Sequence, residues 1–406
     1  MKLNAIVGQS GGPTAVINSS LAGVYSACKQ LGVDTVYGMV HGIQGLLLEQ
    51  VVDLDTYIAN DLSLEALKKT PAAFLGSCRY KLPKFEKDEE TYKKLFAILD
   101  KHEISLFFYI GGNDSMDTIA QLSEYAKING SNIRFVGVPK TIDNDLPVTD
   151  HTPGYGSAAK YVATTIKEII RDAAVYDFPF VSTVEIMGRD SGWLTAAAAL
   201  AKGPDCAGAD MIYLPETNFE VDTFLARIKE LIRVKKSLII AVSEGIHTAD
   251  GTYVCELAAS DTAVDAFGHK QMGGTAQYLS GLIKGELGCK VRAIELSTMQ
   301  RCGAHLASAT DVNEAFSAGA ASARAAIEGQ TGVMSYFERT NENPYACTTG
   351  ICDVHLVANQ KKDVPLEWID TDINYVTNEY VDYALPLIQG ESYPLMVNGL
   401  PFHLTR

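Results

Sequence analysis

Short apolar runs alternate along this chain with segments that have the periodicity of amphipathic helices. The clearest apolar runs are residues 5–8, 106–110, 134–138, 180–186, 211–214, 238–242 and 291–296. The clearest helical segments are residues 14–30, 115–127, 161–174, 221–235 and 313–328. Fully apolar strands separated by helices are typical of a parallel sheet that is covered on both faces. The alternation therefore predicts an α/β fold.

The length of the chain indicates more than one such sheet. A chain of 406 residues exceeds what a single hydrophobic core usually holds, so we expect two or three domains. The loop at residues 139–155 is the predicted boundary between domains. No apolar run approaches the ~20 residues that a membrane helix needs, and the first residues lack a small-residue cleavage site. We therefore expect neither a membrane partner nor a signal peptide.

Charge and cysteine content restrict the classes of partner and the compartment. The net charge of −15 disfavours nucleic acid and anionic lipid as partners. The eight cysteines lack the paired spacing of a zinc site and are typical of reduced thiols in a cytoplasmic protein. Against this overall charge, any phosphate-binding site must be built from locally placed arginines, lysines and backbone amides.

Polar and glycine-rich clusters follow most of the predicted strands directly. They lie at residues 9–13, 111–115, 139–145, 188–190, 243–245 and 298–302. In an open parallel sheet, ligands bind beyond the carboxyl ends of the strands. Any one of these clusters alone would fit an ordinary turn, but six in this position predict an active site along that edge.

Two of the clusters are glycine pairs that open a helix. Gly11-Gly12-Pro13 would let backbone amides approach a phosphate at a helix N-terminus, although many such junctions are only tight turns. Gly111-Gly112-Asn113-Asp114 repeats the arrangement. Asn113 or Asp114 could face a magnesium ion, which prefers oxygen ligands, or could simply cap the helix.

The most specific cluster contains Lys140, Thr141, Asp143 and Asp145 within six residues. Transfer of a phosphoryl group to a sugar hydroxyl needs a base for the hydroxyl proton and positive charge around the moving group. A carboxylate suits the first task, and a lysine with magnesium suits the second. The alternative is a solvated turn rich in Asn and Asp.

Arginines and a glutamate lie at or near the ends of further strands, at Arg189, Glu244, Arg292 and Arg301. Arginine binds phosphate through a planar fork of donors, so these residues could hold a sugar phosphate. Glu244 could accept hydrogen bonds from sugar hydroxyls. Each arginine alone would more often be a surface charge.

Taken in order, these motifs resemble the phosphofructokinase family. That family carries an early GG turn, a GGDxS-type loop, a P-x-TIDND loop, an MGR turn, a glutamate before glycine and a late QR, and residues 1–330 of this chain have all of them. The resemblance implies two doubly wound, Rossmann-like parallel-sheet domains, with the active site in the cleft between them. It also implies a magnesium cofactor and a homodimer or homotetramer.

The resemblance assigns roles to individual residues. Asp143 resembles the base that takes the proton of the sugar 1-hydroxyl. The other implied catalytic residues are Lys140, Asp114, Thr141 and Arg189. The implied substrate-binding residues are Gly12, Arg79, Thr141, Ile142, Met187, Gly188, Arg189, Glu244, Arg292, Thr298, Met299, Gln300 and Arg301. The implied metal ligands are Asn113 and Asp145.

Two positions decide the phosphoryl donor that the resemblance implies. Members that use ATP typically have glycine where this chain has Asp114 and Lys140, whereas members that use pyrophosphate resemble this chain at both. A carboxylate at position 114 would repel the α-phosphate of a nucleotide. The implied reaction is reversible phosphoryl transfer from pyrophosphate to fructose 6-phosphate. The alternatives are an ATP-dependent enzyme and a pyrophosphate-dependent kinase of another sugar phosphate, such as sedoheptulose 7-phosphate.

Three residues depart from the family pattern. Asn113 stands where many members have an aspartate, and Thr298 stands where a histidine is common. Phe180 replaces an arginine that in bacterial ATP-dependent members reaches the sugar phosphate of a neighbouring subunit.

The resemblance also divides the chain into predicted domains. Residues 1–145 with about 290–310 would bind the donor, and residues 146–289 with about 311–335 would bind the sugar phosphate. Residues 336–406 would form a C-terminal extension packed on the core.

Overall fold

The structure is a computed structural model that describes residues 3–257 and 273–406. The strands are β1 (Asn4–Gln9), β2 (Thr35–Met39), β3 (Val51–Asp53), β4 (Ile104–Gly111), β5 (Arg134–Pro139), β6 (Phe180–Ile186), β7 (Met211–Tyr213), β8 (Ser237–Ser243), β9 (Lys290–Glu295), β10 (Val333–Glu342), β11 (Tyr345–Asp353), β12 (Ile369–Asp370), β13 (Tyr375–Val376), β14 (Met396–Val397) and β15 (Leu400–Pro401). The helices are α1 (Ile17–Gln30), α2 (Gly42–Leu46), α3 (Asp61–Lys68), α4 (Glu89–Lys101), α5 (Asn113–Ile128), α6 (Tyr155–Ala173), α7 (Trp193–Ala196), α8 (Val221–Leu231), α9 (Thr275–Leu287), α10 (Met299–Cys302), α11 (Ala309–Ile327) and α12 (Asn378–Ala384). Within these ranges no helix has both the length and the apolar character needed to cross a membrane.

The larger sheet has seven strands in the order β11-β10-β5-β4-β1-β2-β3. Its central strands pair in parallel, while β3 and β11 are antiparallel at the two edges. Alternate residues of β4 point to opposite faces, so Phe108 packs with α1 and α11 whereas Phe107 packs with α4 and α5. Because both faces are covered by helices, the central strands β1, β4 and β5 are mostly apolar and buried, as the sequence pattern predicts.

The smaller sheet has four parallel strands in the order β7-β8-β6-β9. One face packs on α6 and on the C-terminal residues, and the other packs on α8 and α9. All seven predicted strands are present, and the two sheets with helices on both faces confirm the predicted fold class. The predicted second domain also includes residues 258–272, which lie outside the described residues.

Two of the segments assigned to domains from the sequence belong to the opposite sheet. β9, within the segment 290–310 that was assigned to the first domain, pairs with β6 of the smaller sheet. α11, within the segment 311–335 that was assigned to the second domain, packs on α1 beside the larger sheet. The contact is close, because a Cβ on Gly23 would lie 2.0 Å from the Phe316 carbonyl oxygen and one on Gly319 would lie 2.1 Å from that of Ser20. These assignments are therefore wrong.

The predicted C-terminal extension also begins too early. β10 pairs in parallel with β5, and β11 completes a hairpin with β10, so residues 333–353 are part of the larger sheet. Only the chain that follows this hairpin packs on the outside. Four of the five predicted helices start elsewhere than predicted, since α1 begins at Ile17, α5 at Asn113, α6 at Tyr155 and α11 at Ala309.

Candidate active site

A cleft of about 390 Å³ is lined by residues of both sheets and of the chain that follows them. Residues beyond the carboxyl ends of β1, β4, β5, β6 and β8 face it, which is the edge that the sequence predicts. Most of the predicted site residues meet here. Those that line the cleft are Gly12, Arg79, Asn113, Asp114, Lys140, Thr141, Ile142, Asp143, Asp145, Met187, Arg189, Glu244 and Arg301.

The turn after β1 is held against two cations. The buried Lys140 ammonium donates to the Gly12 carbonyl oxygen at 2.7 Å. A Cβ on Gly11 would lie 3.2 Å from Lys140 Nζ, and one on Gly12 would lie 3.3 Å from Arg301 Nη1. Gly11 also has a φ of 72°, which favours glycine. The absence of side chains at this turn therefore lets the backbone come close to both cations.

The turn after β4 opens α5 directly at Asn113. The Asn113 side chain is engaged twice, because Oδ1 accepts from the Asp114 amide at 2.8 Å and Nδ2 donates to the Gln360 carbonyl oxygen at 3.3 Å. Asp114 lines the cleft in the first turn of the helix. The hydroxyl groups of Ser10 and Ser115 are hydrogen-bonded to each other, which joins this turn to the turn after β1.

The loop after β5 presents two carboxylates on either side of a buried asparagine. Thr141 Oγ1 accepts from the Asp143 amide at 3.0 Å and donates to Asp143 Oδ2 at 3.1 Å. Asn144 has a φ of 55°, and its side chain is fully buried. Its Nδ2 donates to the Tyr383 hydroxyl at 2.8 Å, and its Oδ1 accepts from the Thr152 amide at 3.0 Å. The loop conformation that places Asp143 and Asp145 in the cleft is therefore fixed by Asn144.

Burial changes the acidity of the groups in this loop. It lowers the pKa of Lys140 to about 8, against the attraction of Asp143 and Asp145. Burial, followed by repulsion from Asp143, raises the pKa of Asp145 to about 7. Burial also raises the pKa of Asp143, although the Thr141 hydrogen bond and the Lys140 charge oppose the change. Because two buried carboxylates lie beside one lysine, a further positive charge in this loop would lower the pKa of both carboxylates.

The smaller sheet supplies a second, tightly packed corner. The Gly188 amide donates to Glu244 Oε1 at 3.3 Å, and burial raises the pKa of Glu244 to about 7. Gly188 has a φ of 135°, and a Cβ on Gly245 would lie 1.6 Å from the Arg189 carbonyl oxygen. Glycine at both positions allows the turn that carries Arg189 to lie directly on the turn that carries Glu244.

Five predicted substrate-binding residues do not line the cleft: Gly188, Arg292, Thr298, Met299 and Gln300. Gly188 and Gln300 are hydrogen-bonded to residues that line it, Glu244 and Met187. Gln300 is buried, and its Oε1 accepts from the Met187 amide at 3.2 Å. Thr298 and Met299 are exposed beside α10, outside the cleft.

Arg292 is directed away from the cleft of its own chain. It lies in β9 opposite Ser182 of β6. Its Nη1 donates to Asp172 Oδ2 at 2.8 Å, and its guanidinium lies 5.4 Å from the ring centre of Phe180. Its contact with a sugar phosphate stays a prediction, since the strand register holds the side chain at the edge of the smaller sheet and not in the cleft of its own chain.

The cleft also contains residues that the motifs did not identify. Tyr80, Asp190, Ser191 and Lys361 line it. Ser191 Oγ donates to the Asp143 carbonyl oxygen at 3.2 Å and so supports the loop after β5. Lys361 comes from the C-terminal chain, and the only sequence signal for it is the basic pair at positions 361 and 362.

The donor atoms in the cleft suit a magnesium ion. Asp145 and Asp143 offer hard carboxylate oxygens, and burial, followed by repulsion from Asp143, raises the pKa of Asp145 despite the opposing charges of Lys140 and Lys362. A divalent cation at this corner would relieve that cost. Asn113 fits less well, because one lone pair of its amide oxygen is already occupied by the Asp114 amide.

Comparisons with known proteins show the family to which this chain belongs. The family model described as Phosphofructokinase matches residues 4–325. The Pyrophosphate--fructose 6-phosphate 1-phosphotransferase of Halomonas elongata is 40% identical over 402 residues, which cover 98% of this chain and 94% of that protein. The protein of the same name from Methylococcus capsulatus is 39% identical over 408 residues, which cover 99% and 95%.

A solved structure gives the same result for the fold. The pyrophosphate-dependent phosphofructokinase from Nitrosospira multiformis matches with a TM-score of 0.88 and 35% identity, and the match covers 98% of this chain and 95% of that chain. Sequence and fold agree over nearly the whole length. The chain is therefore a member of the phosphofructokinase family.

Proposed function

We propose that this protein transfers a phosphoryl group reversibly from pyrophosphate to the 1-hydroxyl of fructose 6-phosphate. The observation that carries the proposal is the pair Asp114 and Lys140 in the cleft. Lys140 places a buried ammonium beside the glycine turn, where it can hold a compact anion. The Asp114 carboxylate adds negative charge where a nucleotide would place its α-phosphate, and the repulsion between them disfavours ATP.

The chemical step needs a base for the proton of the sugar hydroxyl and positive groups that stabilise the negative charge of the transferring phosphoryl group. Asp143 takes the proton of the sugar 1-hydroxyl while the sugar oxygen forms a bond to one phosphorus of pyrophosphate. The bond from that phosphorus to the bridging oxygen breaks, and orthophosphate leaves with the electron pair. The raised pKa of Asp143 supports this role, because it makes the carboxylate a stronger base than an exposed aspartate.

Positive side chains stabilise the transferring group. Lys140, Arg189 and Arg301 line the cleft around Asp143 and reduce the cost of charge on the phosphoryl oxygens. Met187 and Glu244 face the sugar from the smaller sheet. With Asp145 as its principal ligand, a bound magnesium ion would neutralise the charge of the pyrophosphate oxygens.

The position of Arg292 supports a homo-oligomer in this proposal. An arginine at the edge of the smaller sheet can reach a sugar phosphate only in the cleft of a partner protomer, as the family resemblance implies for this part of the substrate site. Phe180, whose ring centre lies 5.4 Å from the Arg292 guanidinium, stands where bacterial ATP-dependent members have an arginine. Of these two positions, Arg292 alone would therefore supply an arginine to the sugar phosphate. We place the enzyme in the cytoplasm, in accord with its reduced cysteines.

The deciding experiment compares initial rates with pyrophosphate and with ATP as donor, at fixed fructose 6-phosphate and magnesium. We expect strong activity with pyrophosphate and almost none with ATP. Activity with ATP alone would reject the role of Asp114 and Lys140 and leave the sugar site standing. Sedoheptulose 7-phosphate in the same assay tests the acceptor, and a higher kcat/KM with it would replace fructose 6-phosphate as the substrate.

A further inference from the structure

A segment of the C-terminal chain crosses the cleft. We call residues 359–364 the strap. On the side of the larger sheet, Asn359 Nδ2 donates to Asp117 Oδ1 at 2.9 Å, and the Gln360 carbonyl oxygen accepts from Asn113 at 3.3 Å. Both partners lie in the first turns of α5. The strap is thus held at its start beside Asp114.

The other end of the strap is attached to the smaller sheet's side of the cleft. Trp193 Nε1 donates to the Lys362 carbonyl oxygen at 3.0 Å, and the Val364 amide donates to Glu216 Oε1 at 3.1 Å. In the middle, the Lys362 amide donates to the carbonyl oxygen of Asp145 at 2.7 Å. The strap therefore connects both sides of the cleft and touches the predicted metal-side carboxylate residue on the way.

The Lys362 side chain fixes this course. Its ammonium is buried and donates to the carbonyl oxygens of Asp150 at 2.8 Å and Thr149 at 3.1 Å. Burial lowers the pKa of Lys362 to about 8, and the cost of holding its charge is offset in part by these contacts, by the attraction of Asp150 and Asp145 and by the Trp193 ring, 5.1 Å away. Because Gln360 and Lys362 are both held by hydrogen bonds, the backbone at position 361 has little freedom to move.

Lys361 is the strap residue that lines the cleft. Its side chain is about half exposed at 53%, and Nζ lies 2.9 Å from Asp363 Oδ1 and 3.4 Å from the Asp190 carbonyl oxygen. An exposed pair of this kind adds little stability. The ammonium can therefore exchange the Asp363 carboxylate for a phosphate at small cost, whereas the strap keeps it at the cleft.

We infer that Lys361 binds the pyrophosphate donor, an inference that rests on the function proposed above. The strap is hydrogen-bonded to Asn113 and to Asp145 on either side of position 361, and both belong to the donor and metal side of the site, while Lys361 Nζ reaches the carbonyl oxygen of Asp190 across the cleft. Pyrophosphate has no nucleoside through which the enzyme could hold it. An additional fixed cation compensates for that lack, and Lys361 supplies it from a part of the chain outside the family motifs.

The test measures steady-state kinetics of Lys361→Ala, Lys361→Arg and Asp363→Asn. Loss of a hydrogen bond to a charged group predicts about a tenfold higher KM for pyrophosphate in Lys361→Ala, with the KM for fructose 6-phosphate within about twofold. Lys361→Arg should recover most of the difference, because it keeps the charge. Asp363→Asn should not raise the KM for pyrophosphate, since it frees the ammonium.

Lys167→Ala is the matched control, because Lys167 also pairs with an aspartate at 2.9 Å with a half-exposed side chain but lies away from the cleft. It should leave both KM values unchanged. An unchanged KM for pyrophosphate in Lys361→Ala would overturn the inference. Equal effects of Lys361→Ala and Asp363→Asn would also overturn it, because they would show that the ion pair only shapes the strap.

Direct titration with inorganic pyrophosphate and magnesium, without sugar, separates this inference from the proposed function. The dissociation constant should rise about tenfold in Lys361→Ala. If the unsubstituted protein turns over pyrophosphate but the two proteins bind it equally, only the role of Lys361 fails. If the unsubstituted protein neither binds nor uses pyrophosphate, both the proposed function and this inference fail.

Discussion

Replacing Asp145 with asparagine should stabilise the metal-free protein while it removes most of the activity. Burial and the neighbouring Asp143 raise the pKa of Asp145 from its ordinary 3.8 to about 7. The folded state thus binds this proton more tightly than the unfolded state. The corresponding stability is fully present below pH 3.8 and is lost as the pH rises through about 7.

The size of the effect follows from the two pKa values. A difference of about three pKa units, at about 1.4 kcal/mol each, makes the ionised carboxylate cost about 4 kcal/mol at pH 8. Asparagine keeps the shape without the charge, so we expect a gain of about 2–4 kcal/mol at pH 8 and less than half of it at pH 5. Turnover should fall by about 10² or more, because the principal metal ligand is lost.

Urea denaturation in the presence of a chelator at pH 5 and pH 8 measures the gain. Asp311→Asn is the control, since this buried carboxylate accepts from the Gly154 amide at 2.9 Å and from the Ser157 amide at 2.8 Å. Burial raises the pKa of Asp311 as well, but its replacement should lower the free energy of unfolding, because the asparagine amide nitrogen would face one of these two amide donors. A loss of stability in Asp145→Asn at pH 8, or a gain that does not depend on pH, would refute the reasoning about the buried carboxylate pair.

Three further variants test the same site. Asp143→Ala should lower turnover by ~10²–10⁴ while fructose 6-phosphate binding is retained. Equilibrium binding and single-turnover rates measure the two effects separately, and weaker binding with an unchanged single-turnover rate would contradict the role of Asp143 as the base. Exchange of both Asp114 and Lys140 for glycine should lower kcat/KM for pyrophosphate by about 10² and reduce the preference over ATP; an unchanged donor ratio would contradict the donor assignment. Tyr383→Phe removes the hydroxyl that Asn144 contacts and should lower kcat by about tenfold with KM little changed, whereas unchanged kinetics would show that the loop does not need this anchor.

Local sequence was sufficient to identify the loop that carries the chemistry. Lys140, Thr141, Asp143 and Asp145 all face one cleft, because each belongs to a short segment that begins at the end of β5. The same reasoning placed Gly12 and Asp114 there, since β1 and β4 are neighbouring parallel strands whose carboxyl ends meet at one edge. These conclusions depend only on strand direction and on the order of short motifs.

Strand order could not be obtained in this way. Nothing in the sequence of β9 or β10 indicates that β9 pairs with β6 and β10 with β5, because both strands mix apolar with charged residues and neither carries a mark of its partner strand. For Arg292 the strand register decides which way the side chain points, and a resemblance in motif does not report it. The helix α11 packs on α1 through glycines that look unremarkable in the sequence.

The sequence by itself therefore determined the fold class, the edge of the sheets at which the cleft lies and the loop after β5 that faces it, because each depends on strand direction and on residues close together in the chain. The tertiary structure alone decided which segments complete each sheet, that Asn144 is anchored by Tyr383, and that Lys361 reaches the cleft. The strand pairings join residues more than 100 positions apart, and the contacts of Asn144 and of Asn113 with the C-terminal chain join residues more than 200 positions apart, so local sequence cannot report them.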